Sequence, residues 1–176
     1  MKKSFVLAAL LPLAVAAQDI KKELNAELRT QVEFPATVPA GNYSGITWLG
    51  GNEYAVVCDK AKSDGFFIFH INIDPDTGVI SHAYSNEFRS SGYANRDMEG
   101  IAFLPKDTTI FISGEADNHI REYKLKTGKH TGRELNVPDS LSNSAPNYGF
   151  ESLTYNATQH HFWTVSESTL PIDGNQ

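Results

Sequence analysis

Cysteine is nearly absent: Cys58 is the only one in 176 residues. A single cysteine excludes an internal disulfide and a metal centre built on several thiolates. It ends the apolar run Tyr54-Ala55-Val56-Val57-Cys58, so it is expected as a small buried side chain. Long hydrophobic runs are missing as well. The longest, Phe5 to Leu13, falls well short of the ~20 residues a helix needs to cross a bilayer, so no membrane span is expected. Basic clusters are lacking too: 15 Lys and Arg face 21 Asp and Glu, for a net charge of −6. An acidic chain repels phosphate backbones, which excludes nucleic acid as a partner. Helical periodicity is confined to Ile20–Leu28. Gly-x-Ser-x-Gly does not occur, because Gly41-Asn42-Tyr43-Ser44-Gly45 has one residue too many before the serine. No glycine loop fit to cradle phosphate is present, and His70, His82, His119 and His130 are dispersed. Nothing in the sequence points to an oligomer.

What is present begins with Met1-Lys2-Lys3, the short apolar run, and then Ala14-Val15-Ala16-Ala17. A positive start, a short apolar segment and small residues at the end form an export signal, with cleavage expected after Ala17. The chain is therefore expected to be exported, to the periplasm or outside the cell. Residues 18–176 would remain, and loss of Lys2 and Lys3 would take the net charge from −6 to −8.

Three segments of the remainder align. They are Ser44-Gly45-Ile46-Thr47-Trp48-Leu49 followed by Glu53–Asp59, Glu99-Gly100-Ile101-Ala102-Phe103-Leu104 followed by Thr109–Glu115, and Glu151-Ser152-Leu153-Thr154-Tyr155 followed by His161–Glu167. Their starts lie 55 and 52 residues apart. Each has short β-branched and aromatic strands around turn residues, the pattern of a hairpin. The first two units continue into a third strand, Phe66–Ile73 and Ile120–Leu125, each closed by a Thr-Gly turn. A fourth strand follows, near Val79–Phe88 and His130–Val137. Four strands per ~50 residues is the spacing of β-propeller blades. The fold expected is all-β, a propeller of four-stranded blades of which about two and a half are present. Residues 18–42 form an N-terminal segment in which Arg29–Phe34 would be a ring-closing outer strand, and residues 43–176 carry the incomplete blades. Propellers close with roughly four to eight blades, so the sequence reads as part of a longer product.

In such a blade the start of strand one and the end of strand two meet at one mouth of the central channel. Here those positions are acidic. Glu99 and Glu151 open their units, with Ser44 in the first, and Asp59, Glu115 and Glu167 close them. Arg96 and Asp97 precede Glu99 on the same face. Several carboxylates without Cys or His suit a hard, calcium-like cation. The competing expectation is that each carboxylate accepts hydrogen bonds from backbone N–H groups of the neighbouring loop.

The segments Tyr43-Ser44-Gly45-Ile46, Arg96-Asp97-Met98-Glu99-Gly100-Ile101-Ala102 and Asn147-Tyr148-Gly149-Phe150-Glu151-Ser152-Leu153 together resemble the bacterial phytase-like domain, described as having esterase-like activity of phytase. The likeness runs from about Tyr43 to Leu170, with Ser152 where the family's third motif has glycine. It implies an exported propeller and hydrolysis of phosphate or carboxylic esters. The strand-opening Glu-Gly is also similar to that of lactonase propellers, where a glutamate binds calcium; that analogy is at the level of fold. On this basis Glu99 and Glu151 are expected to hold a calcium-like ion. Glu115, Glu167 or Asp59 would be further ligands or a general base, and Arg96 would pair with a small anionic or ester substrate. The alternative is a propeller of the bacterial envelope that binds a ligand or protein without catalysis.

Overall fold

The computed structural model describes residue 28, residues 31–142 and residues 148–169. The export signal, and Ile20–Leu28 apart from Leu28 itself, lie outside the described residues.

Ten strands form. Strands β1 (Tyr43–Gly50), β2 (Glu53–Cys58), β3 (Gly65–Ile73) and β4 (Ile80–Ser90) make one antiparallel sheet in that order. A second sheet repeats the order with β5 (Met98–Leu104), β6 (Thr109–Gly114), β7 (His119–Lys124) and β8 (His130–Glu134). Strands β9 (Thr154–Asn156) and β10 (His161–Trp163) pair as a hairpin, extended by the bridge Phe150↔Ser166. The β-propeller fold is therefore present as two full blades and the inner hairpin of a third. One short helix, α1 (Asp139–Ser142), was not expected; it fills the connection after β8. No helix among the described residues is long and apolar enough to cross a membrane.

Local chemistry explains the turns. Asp74 Oδ1 accepts the Asp76 and Thr77 N–H groups at 3.1 and 2.7 Å and the Thr77 hydroxyl at 2.7 Å, which bends the chain between β3 and β4. Gly78 completes that turn at φ +70°, a left-handed conformation glycine adopts without strain.

The second blade is buried on both faces, which is why β6 is buried along its whole length. Ile110 and Ile112 point toward the first blade and pack with Ala55, Val57, Phe66, Ile68, Met98, Ile101 and Tyr123. The intervening Phe111 points the other way, onto Ala102, Ile120, Phe150 and Leu153. Alternation along one strand thus glues three units together. Each large side chain contributes roughly 1.5–3 kcal/mol by leaving water. Cys58 is buried, as its apolar run implied.

The described part of the segment expected as a ring-closing strand, residues 31–34, has no strand pairing. Just after it the chain lies on the outer edge of β4. Thr37 accepts the Ser85 N–H at 2.9 Å, and its hydroxyl donates to the Ala83 carbonyl at 2.6 Å.

Candidate metal centre

The register of the inner strands decides where the opening residues point. Met98 pairs with Gly114, but Gly100 pairs with Ser113, so Glu99 is the extra residue of a β-bulge. Tyr43↔Cys58 followed by Gly45↔Val57 makes Ser44 the extra residue in the first blade. The third unit shifts by one residue between Phe150↔Ser166 and Thr154↔Trp163, and Glu151 lies in that interval. A bulge breaks strict alternation and re-aims a side chain. The same break recurs at the same place in all three units.

The closing acids are fixed by an equally regular bond. The N–H of Asp59 donates to the Asn42 carbonyl at 3.0 Å, that of Glu115 to Asp97 at 2.8 Å, and that of Glu167 to Gly149 at 3.0 Å. Each acceptor lies two residues before the opening position of its unit. The backbone thereby brings the opening and closing side chains of each unit to one mouth.

Six carboxylates gather there in two groups. Asp59, Asp97 and Glu99 offer oxygens within 4.8 Å of one another, and so do Glu115, Glu151 and Glu167. Asp97 holds φ +54°, and its N–H donates to the Asn95 side chain at 2.5 Å. The two groups influence each other. Glu99 is pushed up from 4.5 to about 7, first by burial and then by the charges of Glu151, Asp59, Glu115 and Asp97. Glu151 is raised as well, by burial and by Glu115 and Glu167.

Compensation is uneven. Lys60 bridges Asp59 and Asp97 at 3.0 and 2.9 Å. Those two carboxylates hold the exposed Lys60 ammonium above its usual range. Among the described residues no cation pairs with Glu99, Glu115, Glu151 or Glu167. Backbone satisfaction, the competing expectation, is seen at Glu115, whose Oε1 accepts the Gly149 N–H at 3.3 Å. Asp59 Oδ1 is buried without any partner.

These donors fit a hard cation. They are carboxylate oxygens throughout, with no imidazole or thiolate among them. The structure brings Glu99, Glu151, Glu115, Glu167 and Asp59 to one mouth, with Glu99 and Glu151 in separate groups. Asp97 belongs with them, as its position just before Glu99 foreshadowed.

Arg96 does not face the mouth. It is 5% exposed, and its guanidinium donates to Asp117 at 2.8 Å, to the His119 carbonyl at 3.2 Å and to the Tyr123 hydroxyl at 3.0 Å. Its Nε lies 3.5 Å from Asp64 Oδ2, which also accepts the Tyr123 hydroxyl at 2.6 Å. Arg96 is thus the centre of a buried clamp between the first and second blades. An anionic substrate would have to break that clamp to reach it. Sequence reasoning could not see this, because Asp64 and Tyr123 lie 32 and 27 residues away along the chain. His160 ends the β9–β10 turn and His161 opens β10, both away from the mouth, with His160 Nδ1 3.0 Å from the Tyr155 hydroxyl.

Radially arranged four-stranded blades with an acidic channel mouth define a β-propeller protein. The phytase-like family, described as esterase-like activity of phytase, matches residues 38–176, and the chain belongs to that family. Among curated proteins no match is found. Similar solved structures include two with a TM-score of 0.44 each: hydrazine synthase of Kuenenia stuttgartiensis at 8% identity, and the β-propeller domain of Cps50 (Swd1) from Myceliophteria thermophila at 11%. Each likeness covers 78% of this chain, but only 32% and 36% of those structures. The chain spans about a third of their length.

Proposed function

We propose that this protein is an exported hydrolase of phosphate or carboxylic esters whose acidic mouth holds a calcium-class cation. The observation that carries this reading is the convergence of Glu99 and Glu151 on one mouth from its two carboxylate groups, with no cation among the described residues paired to Glu99, Glu115, Glu151 or Glu167. Like charges at such spacing oppose one another. Glu99 is raised first by burial and then by that opposition, and a bound divalent ion would relieve the second.

Glu99 and Glu151 would be the principal ligands of an ion held between the two groups, Glu99 coming from the group of Asp59 and Asp97 and Glu151 from that of Glu115 and Glu167. Asp59 and Asp97, already engaged by Lys60, would set the field on the other side. When bound, the ion would polarise the ester oxygen as a Lewis acid. Glu167, the most exposed of the group, would take a proton from the attacking water at its carboxylate. The substrate would be small and anionic or an ester, held by the cation rather than by Arg96. The family assignment supports ester chemistry, and the amino-terminal sequence supports export.

The test is turnover of a generic phosphate monoester and a generic acyl ester by the full-length protein. The reading expects turnover lost on chelation, restored by calcium, and absent in Glu99→Gln. Turnover indifferent to chelator and to that substitution overturns it. Cation binding without turnover leaves a non-catalytic envelope propeller instead.

A further inference from the structure

The two carboxylate groups of the mouth are built alike but not charged alike. The first joins Asp59, which closes the first unit, to Asp97 and Glu99 at the start of the second. The second joins Glu115, which closes the second unit, to Glu151 at the start of the third, with Glu167 added. Equivalent places in the two groups can therefore be compared. The residue after Asp59 is Lys60, and the residue after Glu115 is Ala116. Two residues before Glu99 stands Asp97, and two before Glu151 stands Gly149. The ammonium and the extra carboxylate are present together in the first group and missing together from the second.

Their geometry is that of an ion between ligands. Lys60 Nζ lies 3.0 Å from Asp59 Oδ2 and 2.9 Å from Asp97 Oδ1. The two acids come from different blades, Asp59 just after β2 and Asp97 just before β5. Asn95 fixes the two loops against each other. Its side-chain amide donates to the Asp59 and Ala61 carbonyls at 2.6 and 2.5 Å, and its Oδ1 accepts the Asp97 N–H at 2.5 Å. The ammonium thus bridges two carboxylates whose backbones are held in place. The second group has no such ammonium among the described residues. The Lys60 side chain is 63% exposed, so its replacement disturbs no core packing.

We infer, resting on the cation-binding reading of the mouth, that Lys60 is the resident cation of the first group and holds the mouth to a single divalent ion. With Lys60 in place, a second divalent ion would stand against an ammonium already seated on Asp59 and Asp97, and like charges repel. With Lys60 gone, the first group is as uncompensated as the second, and an ion of the same class takes the ammonium's place. Lys60 acts through Asp59 and Asp97, as a positioning residue that sets how many ions the mouth accepts.

The test is calorimetric titration of calcium into the chelator-stripped full-length protein, with the bound ions per chain counted by equilibrium dialysis. The parent is expected to bind a single calcium. Lys60→Ala gives the first group the residue found in the second, and is expected to add a second saturable step. Lys60→Gln keeps a hydrogen-bond donor without the charge, and is expected to behave as Lys60→Ala does. Lys60→Arg keeps the charge and is expected to bind a single ion, as the parent does. A purely structural role for Lys60 would change stability and leave the count unmoved. A single ion in the parent and in both uncharged variants overturns the inference and leaves the cation reading of the mouth standing. A second step in Lys60→Arg, or in the parent itself, overturns it as well. Calcium bound by the uncharged variants but not by the parent supports the role of Lys60 and overturns the reading of the mouth. No binding by any of the four proteins overturns both.

Discussion

Gly100 and Leu153 meet backbone to backbone: a methyl group on Gly100 would stand 2.4 Å from the Leu153 nitrogen. The equivalent atom on Gly45 would stand 2.6 Å from the Glu99 carbonyl oxygen. The glycine after each strand-opening residue is therefore there for approach, not for turning. It lets the inner strand of the next unit come close enough to place its glutamate in the mouth. Ser152 takes that position in the third unit, where its side chain is exposed.

Gly100→Ala is accordingly expected to destabilise the protein by about 1–3 kcal/mol or more, because the atoms it meets are backbone and cannot turn aside. Ser152→Ala is expected to stay within about 0.5 kcal/mol of the parent. Urea unfolding of the two variants checks both.

The Arg96 clamp makes a separate prediction. Removing the guanidinium leaves Asp64 buried with its charge uncompensated, which costs about 3–5 kcal/mol. Arg96→Met is expected to lower the urea midpoint by a matching amount. Had Arg96 been a substrate contact, the substitution would raise KM and leave stability unchanged.

The pH dependence follows from Glu99. Its folded-state pKa is raised, from 4.5 to about 7, so the folded chain binds the proton more tightly than the unfolded chain does. Between those values the unfolded state holds fewer protons, and stability falls as pH rises. The loss is complete above about pH 7 and is recovered on acidification toward 4.5. Without divalent ions, thermal melts of the parent and Glu99→Gln should therefore converge near the acid end of this window. The variant should be the more stable near neutrality. Parallel curves across the window would contradict this account.

Much of the fold was legible because its code is local. Alternating strands, Thr-Gly turns and a repeat of 50-odd residues mark blades in the sequence itself, and the eight strands of the first two units fall within a few residues of their expected bounds. The acidic mouth was legible for the same reason, since blade geometry sends equivalent positions to one end. The bulges that aim Glu99 and Glu151 were not. They depend on which residue pairs across to the neighbouring strand, and that register is set by packing. The burial of Arg96 was hidden likewise, because an Arg-Asp pair in a loop looks the same whether it faces solvent or an aspartate of the preceding blade.

The most direct measurement is a calorimetric titration of calcium into the chelator-stripped full-length protein at about pH 7.5, where Glu99 is largely ionised. The account predicts saturable binding by the parent, preference for calcium over zinc as an all-oxygen site requires, and at least roughly tenfold weaker binding by the Glu99→Gln/Glu151→Gln double variant. No saturable binding, or equal binding by the double variant, would contradict it.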